Sequence, residues 1–390
     1  MELFVKITIG KFFNASRDKR ELSVIKDFDI PIVIIAKGNK NGIIEIDGFT
    51  VHCLTTKPIA KIISSYGINR FIALFTWALY IRKLNARYLS CHNLIALLIG
   101  WLSSLWLAKE KRPLLIYDSH EFEAGLDADG QRGKFQTWLV VRLERYLIKK
   151  TSLNLMVNDT IAIEVQKLHN LKQKPIVVRN IPSTWQIDDA ICAKQRKEFC
   201  QQLKAPDNIF LVMYHGGISR NRGIENLLKA VALLDNVAVV LLGNGEHDYI
   251  LELESLVETL QIQNKIIVHQ AVPLTILWQY VGASDVGVSI LLNSCLNHYY
   301  ALPNKIFENI QSLTPIIGSN FPEIIKIVDG YQIGICCDPS DPKMIAQSIT
   351  LMRNDTNRYA IYKRNLIRAK NELCWDQESQ VLINAYKSIF

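Results

Sequence analysis

Glycine and arginine occur together in residues 215–223, a segment able to bind a phosphate-bearing ligand. Gly216 and Gly217 come first, and Arg220 and Arg222 follow. Glycine lets the backbone approach an anion closely, and guanidinium groups pair with phosphate oxygens. The segment therefore predicts a diphosphate site. A glycine-rich turn with surface arginines would give the same pattern.

Two further segments follow the same logic. Gly243 and Gly245 come directly after an apolar run; they could admit a nucleotide or simply form a turn, and they lack the third glycine of a dinucleotide fingerprint. In residues 299–308, Pro303 is predicted to be the first residue of a helix. The N–H groups of Asn304 and Lys305 would then point at an anion. Glu308, one turn later, could reach the hydroxyls of a ribose.

The first half of the chain offers polar residues where predicted strands end. His120 lies between Asp118 and Glu121, and His92 ends the preceding strand. A histidine here could donate to a sugar hydroxyl or a phosphate while Asp118 fixes its tautomer, or it could simply be a structural hydrogen bonder. Gly10, followed by Lys11 after the first strand, completes a possible acceptor-side loop.

Two α/β domains are needed to position these residues. Apolar β-branched runs alternate with amphipathic stretches throughout, as in parallel sheets covered by helices on both faces. The strand pattern stops at residues 179–183, and a polar helix over Asp188–Lys204 precedes the second sheet. We therefore expect two doubly wound, Rossmann-like domains, residues 1–182 and 183–372. Their ligand loops should lie beyond the carboxyl ends of the strands and face an interdomain cleft.

Composition narrows the functional class. The 390 residues carry a net charge of +8, and residues 1–180 hold 27 Lys/Arg against 16 Asp/Glu. Such a basic half could attract anionic lipid, a lipid-linked diphosphate or nucleic acid, or it could be an ordinary solvated surface. Nucleic acid is the least favoured partner, because no aromatic reader module accompanies the charge. The eight cysteines form no CxxC pair, which indicates reduced thiols in a cytosolic protein.

Two stretches of the basic half bear on membrane contact. Leu94–Ala108 is apolar but shorter than the roughly 20 residues that span a bilayer, so a buried helix is expected. Basic and aromatic residues recur at helical spacing over residues 134–149, namely Lys134, Trp138, Arg142, Arg145 and Lys149. This stripe could lie on a membrane surface, although an ordinary charged outer face is the simpler interpretation.

Taken in order, these segments resemble the bacterial family-4 glycosyltransferases of the GT-B fold over nearly the whole chain. Residues 299–308 resemble the end of that family's E-x7-E motif, with Glu308 at its second glutamate. Arg222 with Gly223 matches its basic residue and glycine, and residues 118–121 match its strand-end D-x-H-D/E. Residues 14–20 resemble its amino-terminal helix start, and residues 373–390 resemble the helix that returns to the first domain.

Two departures from the family pattern matter. Gly217 stands where the family has an earlier basic residue, and Arg220 is the candidate substitute. Tyr300 stands where the family often has its first glutamate, which excludes a carboxylate nucleophile at that position.

The resemblance implies a retaining glycosyltransferase that moves a sugar from a nucleotide-sugar, UDP-sugar first and GDP-sugar second. The acceptor would be a saccharide or lipid-linked saccharide in surface polysaccharide synthesis. It implies front-side displacement with His120, Arg222 and Lys305 at the reaction, no metal and no cofactor beyond the donor. Gly10, His92, Asp118, Glu121 and Tyr300 would meet the acceptor side. A GT-B epimerase or phosphorylase, or a non-catalytic partner subunit, would share these features. The expected location is the cytoplasm, with peripheral contact at the inner membrane face.

Overall fold

A computed structural model describes residues 2–10, 16–55, 66–105, 107–126 and 133–390. The described chain divides into two compact units. The first contains the described residues up to Arg179 together with Ser379–Phe390, and the second contains Asn180–Glu378. Lys11, and the beginning of the segment 14–20, lie outside the described residues.

The first unit is built on a sheet of eight strands. In chain order these are β1 Phe4–Thr8, β2 Ile32–Lys37, β3 Gly42–Ile46, β4 Phe49–Leu54, β5 Tyr88–His92, β6 Leu114–Ser119, β7 Leu153–Met156 and β8 Ile176–Val177. The spatial order is β3-β4-β2-β1-β5-β6-β7-β8, and every pair except β3–β4 is parallel. The carboxyl ends of β1, β5 and β6 are therefore neighbours.

The antiparallel hairpin β3–β4 was missed by the sequence interpretation, which expected only parallel strands. Its turn uses Asp47 and Gly48, both with positive φ (52° and 74°), the geometry of a two-residue hairpin turn. Four of the five β3 residues are exposed, and Ile43 and Ile44 are adjacent rather than alternating. A buried-strand pattern therefore never appears in this edge strand.

Helices cover the first sheet. They are α1 Ser16–Lys26, α2 Tyr66–Lys83, α3 Asn93–Ser104, α4 Lys134–Ile148 and α5 Asp159–His169. The helix α3 buries Leu94, Leu97 and Ile99, as expected for the apolar stretch that contains it. Among the described residues, we find no helix that combines the length and the apolar character needed to cross a membrane.

The second unit has a sheet of six parallel strands. These are β9 Phe210–His215, β10 Val237–Leu242, β11 Ile266–His269, β12 Val286–Ser289, β13 Ile316–Ser319 and β14 Gly334–Cys337, in the order β11-β10-β9-β12-β13-β14. Every residue of β9 and β10 is buried, which explains their continuous apolar sequences. The order reverses beside β9, so a ligand crevice is expected at the carboxyl end of that strand.

Ten helices of the described chain complete the fold. They are α6 Asp189–Leu203, α7 Ile224–Ala232, α8 His247–Thr259, α9 Leu277–Gly282, α10 Leu296–Tyr299, α11 Asn304–Gln311, α12 Pro322–Tyr331, α13 Pro342–Asn354, α14 Thr356–Glu372 and α15 Trp375–Lys387. Asp188 caps α6 by accepting from the N–H groups of Ala190 and Ile191, so the expected connector helix is present.

The end of α15 belongs to the core of the first unit. The ring of Phe390 packs edge-on against Tyr88 and Phe28, and Tyr386 packs against Phe4. The last dozen residues thus close the apolar layer beside β1.

Candidate functional site

Two glycine loops meet at the carboxyl end of β9 and β10. The N–H of Gly216 donates to the carbonyl of Leu242, and the N–H of Ile218 donates to Asn244, each at 2.9 Å. A Cβ on Gly243 would lie 1.8 Å from the carbonyl oxygen of Gly216, so only glycine fits there. The glycines after β10 are therefore required for the contact between the two loops, whatever else they bind.

Glycine is needed for a different reason at the start of α7. Gly223 has φ +74°, and a Cβ there would lie 2.1 Å from the carbonyl oxygen of Ile290. Gly216 also has a positive φ, +109°. Gly217, in contrast, has open space around its Cβ direction. The loop is thus held by Gly216 and Gly223, and position 217 has room for a side chain.

Lys305, at the start of α11, reaches the first glycine loop. Its ammonium lies 3.8 Å from the ring centre of Tyr214 and 3.7 Å from the position of a Cβ on Gly216. Burial and, to a smaller extent, the positive charge of Arg222 lower the pKa of Lys305 to about 7, against the opposing effect of Glu308. Within the described residues, neither Lys305 nor Arg222 forms an ion pair. Two basic side chains without an ion-pair partner in the described part of the chain, beside a glycine loop, make a site for an anion.

Glu308 is held by a histidine that the sequence interpretation gave no role. The Nε2 atom of His215 lies 2.9 Å from Oε2 of Glu308, and the histidine is almost fully buried at the end of β9. One oxygen of Glu308 is thereby fixed in place, which leaves the other for a ligand hydroxyl. The available signal was a histidine as the last residue of an apolar strand, at the expected ligand edge of the sheet.

The beginning of α11 differs slightly from the prediction. Helical residues begin at Asn304, and Pro303 is the N-cap with an extended ψ of 142°. Asn304 accepts a hydrogen bond from the side chain of Asn180 at 2.9 Å. Tyr300 ends the short helix α10, and its ring centre lies 5.6 Å from that of Tyr299. Lys305 brings the start of this helix to the first glycine loop.

Arg220 is placed apart from these cations. Its guanidinium pairs with Glu252 of α8 and lies over the ring of Tyr249, with 62% of the side chain exposed. Its charge is already matched by a carboxylate. The structure therefore does not bring Arg220 to the position that Gly217 leaves empty.

The two histidines of the first unit lie in contact. Their ring centres are 3.7 Å apart; His120 Nε2 is 3.0 Å from Oδ2 of Asp118, and His92 Nδ1 is 2.9 Å from Oδ1 of Asp18. Burial lowers the pKa of His120 to about 4 despite the neighbouring Asp118 carboxylate. His120 is therefore a neutral imidazole at neutral pH, able to donate or accept one proton in a hydrogen bond.

A buried charge network supports this histidine pair, and the sequence analysis assigned none of its cations. Lys6 of β1 is fully buried and pairs with Glu21 and with Asp18 and Asp118, each of the last two at 3.3 Å. Arg17 binds the carboxylate of Asp118 at 2.7 Å. These contacts hold the pKa values of Asp18 and Asp118 below their usual range against the opposing effect of burial. A lysine inside an apolar strand was the sequence signal.

Gly10 and Glu121, which were also assigned to the acceptor side, each accept a hydrogen bond through the backbone carbonyl. The carbonyl of Gly10 accepts from the N–H of Lys37 at 3.2 Å. Glu121 is exposed, and its carbonyl accepts from the hydroxyl of Ser119 at 2.9 Å. Both follow strands of the first sheet, as expected.

Two groups of side chains in the first unit have the spacing of metal ligands. Ligand atoms of Asp18, His92 and His120 lie within 4.8 Å of one another, and so do those of Asp18, Glu21 and Asp118. Lys6 already supplies a cation to all three carboxylates of the second group. Lys6 contacts Asp18, which both groups share, and the group with the histidines adds two ring nitrogens, a ligand type that suits transition metals.

Comparison with known proteins gives the architecture. The Anabaena protein HepE, in a structure with UDP and glucose, is similar over 100% of both chains at a TM-score of 0.75 and 14% identity. Sucrose-phosphate synthase from Thermosynechococcus elongatus is similar over 100% of this chain and 99% of its own, at 0.78 and 14%. The chain has the GT-B fold.

Two sequence comparisons each match part of this chain. Residues 195–369 match the family of group 1 glycosyl transferases. An uncharacterized glycosyltransferase of Methanocaldococcus jannaschii is 22% identical over 237 residues, which are 59% of this chain and 58% of that protein. The chain thus aligns with little more than half of that relative's length. The family match lies within the second unit, Asn180–Glu378.

Proposed function

We propose that this protein is a retaining glycosyltransferase that transfers a sugar from a nucleotide-sugar, with UDP-sugars preferred to GDP-sugars, to a saccharide or lipid-linked acceptor in surface polysaccharide synthesis. The observation that carries the proposal is the pair of basic side chains, Arg222 and Lys305, beside the glycine loop after β9, neither of them ion-paired within the described residues. HepE, with the same fold, has been solved with UDP-glucose. The segment that matches the group 1 glycosyl transferases, residues 195–369, includes this loop.

In the proposed reaction, the bond between the anomeric carbon and the diphosphate oxygen breaks as the acceptor oxygen bonds to the same face of that carbon. The acceptor proton passes to the departing diphosphate. Arg222 and Lys305 would stabilise the charge that develops on this leaving group. Glu308, held by His215, would bind the ribose, and His120 would hydrogen-bond the transferred sugar as a neutral imidazole.

Lys305 supplies the cation that position 217 lacks in this proposal. Its ammonium lies 3.7 Å from where a Cβ on Gly216 would stand, whereas Arg220 pairs with Glu252. A matched pair of substitutions tests this. Lys305→Ala should weaken UDP-glucose binding by about 10–100-fold, the cost of losing a charge-assisted contact. Adding Gly217→Arg, for which the loop has room, should restore most of that loss.

Turnover distinguishes the transferase from the other interpretations. Arg222→Ala should lower the rate of acceptor-dependent UDP release by about 10²–10³-fold. The unmodified protein should release UDP only when an acceptor is present and should leave the stereochemistry of the donor unchanged. Release without an acceptor would favour an epimerase or phosphorylase, and calorimetry that shows no binding of UDP or GDP would indicate a non-catalytic subunit. Full activity after exhaustive chelation would support the metal-independent mechanism.

The proposed location is the cytoplasm, with the acceptor met at the inner face of the membrane. The excess of 27 basic over 16 acidic residues in positions 1–180 supports this, because inner leaflets are anionic.

A further inference from the structure

The helix α4 presents large apolar side chains to solvent. Phe135 is 70% exposed, Trp138 and Tyr146 are each 51% exposed, and Leu139 is 46% exposed. Phe135 and Trp138 stack, with ring centres 5.8 Å apart. At about 100° per residue, Phe135, Leu139 and Tyr146 fall within about 40° of one another around the helix. The outer side of α4 is therefore an apolar ridge, in which exposed Arg142, about 20° from Phe135 around the helix, lies between Leu139 and Tyr146.

Positive charge surrounds this ridge without exposed acid on the same segment. Residues 134–150 contain five basic residues, Lys134, Arg142, Arg145, Lys149 and Lys150. The guanidinium of Arg142 lies 5.0 Å from the ring centre of Trp138, and the ammonium of Lys150 lies 4.5 Å from that of Tyr146. The segment's one acid, Glu144, is buried, where it accepts from the hydroxyl of Tyr117 at 2.8 Å.

Such a surface matches one occupant by its chemistry. Aromatic and leucine side chains flanked by lysine and arginine are what an interfacial helix presents to an anionic bilayer: the rings enter the headgroup region and the cations meet lipid phosphates. A protein partner would need acidic side chains placed opposite each of these five basic residues. We propose that α4 docks on the surface of an anionic membrane through Phe135, Trp138 and Leu139, with the surrounding cations on the lipid phosphates.

The position of α4 gives this contact a purpose. The helix follows β6, which ends beside His120, and the intervening 3₁₀ turn Glu123–Gly125 packs on α4. Helices that follow parallel strands begin at the carboxyl edge of the sheet. The first turn of α4, with Phe135 and Trp138, thus lies toward the same edge as His120. A lipid-linked acceptor would be delivered at that edge.

The test is co-sedimentation of the full chain with vesicles of phosphatidylcholine containing about one-third phosphatidylglycerol, against vesicles of phosphatidylcholine alone. We expect binding to the anionic vesicles, weakened by salt. Phe135→Ala with Trp138→Ala, and separately Arg142→Glu with Lys149→Glu, should each reduce binding at least about tenfold. Leu233→Ala, a change at a 60% exposed residue of the second unit, is the matched control and should bind like the unmodified protein.

UDP-glucose affinity should be unchanged in all of these variants, so failure of this proposal is separate from failure of the donor site. Brominated lipid should quench tryptophan fluorescence, and Trp138→Phe should remove most of that quenching. Binding that persists equally in the variants, or no binding by any form, would overturn the proposal. So would concentration-dependent self-association abolished by the Phe135 and Trp138 changes, since that would identify a second copy as the occupant.

Discussion

Lys305 carries a charge that costs stability in the unliganded protein. A free lysine titrates near 10.5, whereas burial and Arg222 lower the pKa of Lys305 to about 7. Folding therefore disfavours the protonated form. The penalty is fully present below about pH 7 and fades as the pH rises toward the unfolded value, because both states are then neutral.

This residue predicts a trade-off between stability and binding. Lys305→Met should raise the stability of the ligand-free protein at pH 6.5 by about 1 kcal/mol, a modest value because part of the side chain is exposed. That corresponds to about 2–4 °C in Tm for a domain of this size. The same variant should lose UDP-glucose affinity. Thermal unfolding with and without UDP-glucose measures both effects, and a destabilised ligand-free variant would contradict the prediction.

A second prediction at this scale concerns pH. Below about pH 7, Lys305 is already protonated and UDP-glucose affinity should be constant. Above that pH, the Lys305 amine must take up a proton when UDP-glucose binds. Affinity should therefore fall toward tenfold per pH unit until the higher pKa of the complex is reached. Besides Lys305, the charged and titratable groups facing the site are Arg222, Glu308, His215 and Tyr214. Lys305→Arg keeps the charge at all pH values, and its calorimetric affinity should be flat; an identical slope would assign the proton elsewhere.

The two glycine loops act as one element because their backbones are hydrogen-bonded to each other. Gly243→Ala would place a methyl 1.8 Å from the carbonyl of Gly216 and must push the first loop away. We expect at least tenfold weaker UDP-glucose binding and a loss of about 1–3 kcal/mol in stability. Gly217→Ala, where nothing lies within 4 Å, is the control and should change neither quantity appreciably. Equal behaviour of the two variants would show that the loops are not coupled.

At the level of elements, the sequence predicts what is buried continuously and misses what is exposed or formed by long-range pairing. Strands β9 and β10 appear in the sequence as unbroken apolar runs because both faces are covered. The edge strand β3 has no such pattern, and its hairpin turn is its clearest signal. Lys305 and Arg222 could be predicted as site residues because they flank glycines and a helix start. The pairing of His215 with Glu308 joins residues 93 positions apart, which no local pattern specifies.

For the molecule as a whole, the first unit depends on the last turn of the chain. Tyr386 donates to the carboxylate of Glu21, which also receives Lys6 and the hydroxyl of Ser90. Tyr386→Phe leaves this buried acceptor short of one donor and should cost about 1.5–3 kcal/mol. Tyr146→Phe, at an exposed tyrosine of the same unit, should cost nothing measurable. Urea unfolding of the full chain compares them; equal midpoints would mean that water replaces the lost hydroxyl.

The position of Tyr386 and Phe390 also sets an order of events during synthesis. Phe4 and Glu21 precede residues 180–378 in the chain, whereas the rings that cover β1 and the hydroxyl that binds Glu21 follow them. Domains usually fold in the order in which they emerge. Here the first unit still lacks part of its core, beside the buried Lys6, while residues 180–378 are synthesised. The second unit is therefore free to fold first. The unit that carries His120 can be completed only after Ser379–Phe390 have been synthesised.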